Sequence, residues 1–204
     1  MKKVLLIGDS ISLYYSPYLQ DYLKDQIVLY RKEDPKDAFA NLDHPTGPNG
    51  GDSARVLNYL KDRFKAEAPD FDLFAFNCGL HDIKHIHGGD CVISPEQYKE
   101  NLEGILAFMA KHKVKTVFIT TTELDDERHN TRTVPDFTRH NADVLKYNEI
   151  ALSVMKEHQI PVIDLRRFTN NLPGEVFIDH VHFVEEVRAL QAAFLAGSLQ
   201  EYLH

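Results

Sequence analysis

The sequence predicts an α/β fold, a three-layer α/β/α sandwich, on three observations. Short apolar runs alternate with longer amphipathic stretches along the whole chain. The runs are near-continuously apolar rather than alternating, as strands covered on both faces are. No repeat, low-complexity segment or linker divides the 204 residues, a length that one domain (1–204) accommodates with a sizeable core.

The strands follow in order. "KVLLIG" (3–8) is the first and stops at Gly8, Asp9 and Ser10. "QIVLYR" (26–31), "FDLFAFN" (71–77), "KTVFITT" (115–121) and "IPVIDL" (160–165) make five in all. Helices are expected over roughly 17–25, 52–67, 95–112, 139–158 and 184–203, boundaries being good to about 2–4 residues. The third has a capping box, Ser94 at the N-cap, Pro95 at N1 and Gln97 at N3. In the fourth, Val144, Leu145 and Ile150 are expected to face the core. In the last, Val187, Leu190 and Phe194 form one apolar face. Ligands of such sheets bind beyond the carboxyl ends of the strands. That rim holds Asp9 and Ser10, Asn77 through Asp82, the residues from Thr120, and Asp164, overhung by long loops at 32–51 and 122–138.

Composition narrows the chemistry. Hydrophobic residues at 43% and charged residues at 26% describe an ordinary globular protein. The 23 basic and 31 acidic residues give a net charge of −8, which repels phosphate backbones and anionic membranes, so neither nucleic acid nor membrane is an expected partner. Cys78 and Cys91, with twelve residues between them, match no zinc or redox spacing and read as reduced thiols. The apolar stretch Val4–Ile7 is too short for a signal or a span, so the expected compartment is the cytoplasm. "GDS" lacks the glycines of a dinucleotide fingerprint and no phosphate loop occurs, so no nucleotide cofactor is expected.

Ser10 therefore needs another explanation: a nucleophile, a helix cap or part of an anion cradle. A serine nucleophile needs a base within hydrogen-bond reach and an orienter behind it. "FIDHVHF" (177–183) supplies both, because three-residue spacing lets Asp179 meet Nδ1–H of His182 while Nε2 faces Ser10. The competing reading makes Asp179 the N-cap of the last helix.

Four segments in order resemble the SGNH/GDSL hydrolases, lipases and esterases on a flavodoxin-like fold with a five-stranded parallel sheet. "GDSIS" (8–12) is similar to the nucleophile block, which implies Ser10 as nucleophile. "NGGDSARVLNYL" (49–60) is similar to the second block, which implies a backbone N–H for the oxyanion from Gly51, with Gly50 the poorer fit. "DHVH" (179–182) implies Asp179 as orienter and His182 as base. The third block, "NCGLHDIK" (77–84), departs from the family's Gly-x-Asn-Asp by placing His81 at the asparagine. His81 either donates a ring N–H to the oxyanion beside the N–H of Ser10 and Gly51, or lines the pocket; Asn77 is a second source of an amide. The resemblance implies a serine esterase acting on small acyl esters such as acetyl groups, carbohydrate O-acetyl among them, without cofactor.

Two alternatives remain. The first is an SGNH-fold binding protein with impaired catalysis. In the second, His81, Asp82, His85, His87 and Asp90 in "HDIKHIHGGD" (81–90) hold a divalent metal for a metal-dependent hydrolase, although Gly88, Gly89 and Pro95 indicate a loop. The favoured reading assigns no metal. Cys78 lacks a paired base and reads as packing. Arg132, Arg139, His140, Asn141 and Tyr147 beyond the fourth strand are candidates to line a polar substrate site.

Overall fold

All five apolar runs become strands of one parallel sheet in the computed structural model, which describes residues 1–33, 47–132 and 137–203. In chain order the first half contains β1 (Lys2–Ile7), α1 (Ser10–Tyr22), β2 (Ile27–Tyr30), α2 (Ser53–Arg63), β3 (Leu73–Phe76), β4 (His85–Ile86) and α3 (Pro95–Lys111). The second half contains β5 (Lys115–Ile119), α4 (Asp126–Asn130), β6 (Phe137–Thr138), α5 (Asn141–Glu157), β7 (Val162–Ile163), α6 (Leu165–Asn170) and α7 (Glu185–Gln200).

The sheet order is β2-β1-β3-β5-β7, every pairing parallel. Counting only these five strands the order is 2-1-3-4-5, the flavodoxin-like arrangement, whose direction reverses between the first and third strands. β1 and β3 are the adjacent inner strands, and Val4–Ile7 and Leu73–Phe76 are buried throughout, which explains their unbroken apolar pattern. Helices α1 and α7 pack together, as do α2 with α3 and α3 with α5.

The expected capping box of α3 is present, with Gln97 N–H donating to Ser94 Oγ at 3.2 Å and Ser94 N–H to Gln97 Oε1 at 3.2 Å. Three expectations are corrected. The first helix begins at Ser10, not near 17, because Asp9 caps it and Pro17 lies inside it. Leu145 is exposed on α5 while Val144 is buried and Ile150 packs on the core. On α7, Leu190 is exposed, and the inward stripe runs through Val187, Gln191, Ala192, Leu195 and Leu199.

The described part of the expected 122–138 loop contains α4 and β6, and β6 pairs antiparallel with β4. The expected 32–51 loop falls largely on residues 34–46, outside the described residues.

Candidate active site

The reversal between β1 and β3 is where the site forms. β1 ends at Ile7, and two residues later Asp9 turns the chain into α1 by accepting the N–H of Ile11 at 3.0 Å. Ser10 is thus the first residue of a 13-residue helix, its N–H one of those a helix start leaves unpaired, at the positive end of the helix dipole. Burial raises the Asp9 carboxyl above its ordinary range, against the Ile11 N–H and the charges of His182 and Arg139.

Ser10 Oγ lies 2.8 Å from His182 Nε2, across 172 residues of chain. On the other side of the ring, His182 Nδ1 lies 2.7 Å from Asp179 Oδ2. An ionised carboxylate only accepts, so Nδ1 carries the proton and Nε2 is left as acceptor for the serine hydroxyl. The other Asp179 oxygen accepts the N–H groups of Val181 and His182, each at 2.8 Å, which fixes the carboxylate within its own turn. Burial alone would raise Asp179, but the bond and charge of His182 and these two N–H groups outweigh it and hold the carboxyl well below its usual range. The helix-cap reading of Asp179 is overturned: α7 starts at Glu185, with Val184 at its N-cap. Tyr14 meets the His182 ring edge-on at 5.1 Å between centroids, and the Arg188 guanidinium lies 3.8 Å from the Tyr14 ring centroid.

The oxyanion side is built differently. Gly50 N–H donates to Gly8 carbonyl at 2.9 Å, which ties the second block to the serine turn. Gly51, at φ 72, turns its N–H onto Asn49 Oδ1 at 3.0 Å, so the donor expected from Gly51 is engaged in this conformation. Asn77 spends its amide on Ile119 carbonyl at 2.9 Å and Thr121 Oγ1 at 3.0 Å, which removes it as an alternative donor. His81 is buried, and its ring makes no hydrogen bond among the described residues. Burial, then the charges of Lys84, Arg139, Arg55 and His182, push His81 well below the ordinary histidine range, so its ring is neutral and carries one N–H. The next residue, Asp82, accepts the N–H of Ser53 at the start of α2 at 2.9 Å and so joins the third block to the second.

Beside His182, His129 of α4 forms a polar wall with Arg132 and His180. His129 Nδ1 lies 3.0 Å from His180 Nδ1, and Arg132 reaches His180 Nε2 at 2.5 Å. Arg139 is buried, its Nε donating to Leu80 carbonyl at 2.7 Å beside the third block. Of the other polar residues expected there, Asn141 binds the backbone of Leu124 and Tyr147 hydrogen-bonds Ile93 carbonyl in the core. Cys78 is fully buried with its thiol pushed well up by burial, a packing residue as expected.

The metal set of the alternative reading does not assemble. Among the described residues, the metal-ligating group that converges is His85, Cys91 and Asp143, which omits His81, Asp82, His87 and Asp90. His81 and His85 are not one helical turn apart on a helix, since His85 opens β4. Sequence reasoning gave no role to Asn49 or Tyr14; Asn49 stands inside the quoted second block, whereas nothing local marks Tyr14.

No family model matches the sequence, and no curated protein matches it. Solved structures do match the fold. A lipase/acylhydrolase from Enterococcus faecalis superposes with a TM-score of 0.72 at 19% identity, covering 98% of this chain and 96% of that one. The acetyl xylan esterase AlAXEase gives 0.68 at 17% identity, covering 97% of this chain and 99% of that one. A GDSL-like lipase from Bacteroides thetaiotaomicron gives 0.66 at 15% identity, covering 98% and 88%. At these identities the likeness establishes the fold: this chain has the α/β/α sandwich of the SGNH hydrolases.

Proposed function

We propose that this protein is a serine esterase that removes small acyl groups, acetyl above all, from polar and carbohydrate esters. The observation that carries the reading is the continuous chain from Ser10 Oγ through His182 to Asp179, at 2.8 and 2.7 Å, on the rim of the sheet. His182 Nε2 takes the hydroxyl proton as Ser10 Oγ attacks the ester carbonyl, and Asp179 stabilises the imidazolium that forms. The Ser10 N–H at the start of α1 and the neutral ring N–H of His81 receive the oxyanion, and Gly51 joins them when Asn49 releases it. His182 then returns the proton to the leaving alcohol, and water, activated by the same imidazole, hydrolyses the acyl-enzyme. No step calls for a cofactor.

The polar wall of His129, Arg132 and His180 suits a hydroxyl-rich leaving group better than an alkyl chain. Of the structural neighbours, the acetyl xylan esterase fits that preference, whereas others are lipases. Among the described residues no helix is long and apolar enough to cross a membrane. The two free cysteines favour a reducing compartment, and we place the protein in the cytoplasm.

Intact mass after exposure to a fluorophosphonate tests the chemistry. One adduct on the wild type and none on Ser10→Ala is expected, together with hydrolysis of an acetylated sugar by the wild type alone. A folded wild type that takes no adduct and turns over no acetyl ester would be a binding protein on this fold. Turnover that survives Ser10→Ala but is abolished by a chelator would indicate a metal-dependent hydrolase instead.

A further inference from the structure

His85, Cys91 and Asp143 converge away from the serine and take no part in ester cleavage. Three parts of the chain bring them together. His85 opens β4, and the chain reverses after Ile86 through His87 (φ 50) and Gly88 (φ 74), a type I′ turn closed by Gly89 N–H on Ile86 carbonyl at 2.9 Å. The returning arm places Cys91 opposite His85 in an antiparallel bridge, and Val92 N–H donates to Lys84 carbonyl at 2.9 Å. Asp143, in the first turn of α5, completes the group.

His85 Nε2 lies 2.9 Å from Asp143 Oδ2 and 3.5 Å from Cys91 Sγ, and the three ligand atoms all lie within 4.8 Å of one another. In a tetrahedral zinc site, with bonds of about 2.3 Å to sulfur and about 2.0 Å to nitrogen, a sulfur–nitrogen edge is about 3.5 Å. On the far side of the ring, Nδ1 lies 2.8 Å from Gly89 carbonyl. A carbonyl only accepts, so Nδ1 carries a proton and the neutral ring presents a lone pair at Nε2 to a carboxylate that also only accepts. Something positive must lie between them. A second ring proton would serve His85 and Asp143, while the Cys91 thiol has Tyr147 as a hydrogen-bond partner. A metal ion would instead engage nitrogen, oxygen and sulfur together, in the geometry the three atoms already approach. The carbonyl behind Nδ1 is the outer-shell partner that metal-bound histidines commonly have. The side chains of His85 and Asp143 remain 21% and 23% exposed, so an ion can enter from solvent.

We propose that His85, Cys91 and Asp143 bind a divalent transition metal of the zinc type, with water in the fourth position. The ion clips the 86–90 turn to the start of α5. It is a structural site: it braces the segment that follows His81 and Asp82, and Ser10 chemistry does not pass through it.

Cobalt is the probe. The full-length, untagged protein, stripped with a chelator and titrated with Co2+, should take up one equivalent and develop a near-ultraviolet thiolate-to-cobalt charge-transfer band that added Zn2+ abolishes. Cys91→Ser should lose the band, and Asp143→Asn should weaken Zn2+ binding about tenfold or more, by comparison with the effects of altering a metal's immediate surroundings. Zn2+ should also raise the Tm of the wild type by more than that of Asp143→Asn at the same concentration, a comparison that holds even if Cys91→Ser does not fold. Absence of the band in folded wild type, or a Zn2+-induced Tm rise equal in both proteins, would overturn the site and leave His85 and Asp143 as an ion pair.

Discussion

Two buried histidines face the same rim and are wired in opposite ways. His182 is engaged at both ring nitrogens, by Ser10 at 2.8 Å and Asp179 at 2.7 Å. His81, equally buried, is engaged at neither among the described residues, and burial with four neighbouring cationic or titratable groups keeps it neutral. A ring held on both sides is set in one tautomer and one orientation, which suits proton transfer within the protein. A neutral ring with an unspent N–H suits a partner that arrives with the substrate. If the proposed function holds, the contrast puts the two histidines at different steps of one reaction, and substitution of each can break it.

The largest effect belongs to the wired histidine. His182→Ala should lower kcat by about 10⁵–10⁶-fold, the scale on which loss of a base in such a triad is felt. His180→Ala is the control, because its ring stands 6.3 Å from that of His182 and is held by His129 and Arg132. It should cost about tenfold at most, since His180 lies outside the Ser10–His182–Asp179 chain and takes no part in proton transfer. Steady-state kinetics on an acetyl ester measure both. Equal losses would mean that His182 is not the base.

The unwired histidine should cost less and in a particular way. His81→Ala should lower kcat by about 10²–10³-fold with KM nearly unchanged, as loss of one oxyanion donor does. His81→Asn restores an amide N–H and should recover part of that loss. Because His81 is already neutral at its ordinary pKa of 6.5 and above, the pH profile of kcat above that value should keep its shape in His81→Asn. An Ala variant with wild-type kcat would leave His81 as pocket lining.

This asymmetry also marks how far the sequence could be read. That Ser10, Asp179 and His182 meet was legible from residue type, three-residue spacing, position at a strand end and the family resemblance together. The sheet was legible because β1 and β3 are buried on both faces and carry unbroken apolar runs. The start of α1 was not, since Pro17 reads as a helix boundary, while the Ser12 carbonyl and the hydroxyls of Ser12 and Ser16 that line this helix are served by Arg31 from β2's end. The engagement of Gly51 by Asn49 depends on a side-chain rotamer, and the neutrality of His81 on Lys84, Arg139 and Arg55 arriving from separate elements. Leu145 and Leu190 misled because exposed leucines are common on helices and periodicity alone does not reveal them.

The smallest effect on rate, and a distinct one on stability, is expected next to His81. Asp82 is fully buried; Oδ1 accepts Ser53 N–H at 2.9 Å and Oδ2 has no partner among the described residues. Burial pushes its carboxyl up to about 7 from 3.8, against the pull of the Ser53 hydrogen bonds. Between those values the native state keeps a proton that the unfolded chain has released, so stability falls as pH rises through the window. Asp179 contributes the other way: its depressed carboxyl stabilises the fold above the unfolded aspartate range, and that contribution is lost only as pH falls through its low native value. Asp82→Asn keeps the acceptor for Ser53 and removes the titration. Urea midpoints measured from about pH 4 to about pH 7 should therefore decline more steeply for the wild type than for Asp82→Asn, by the linkage between proton binding and folding. Acetyl ester turnover at fixed pH should differ by less than about tenfold, because Asp82 positions the second block without touching the reacting atoms. Parallel midpoint curves would show that Asp82 ionises in the native state, and its charge would then add to the field that His81 feels.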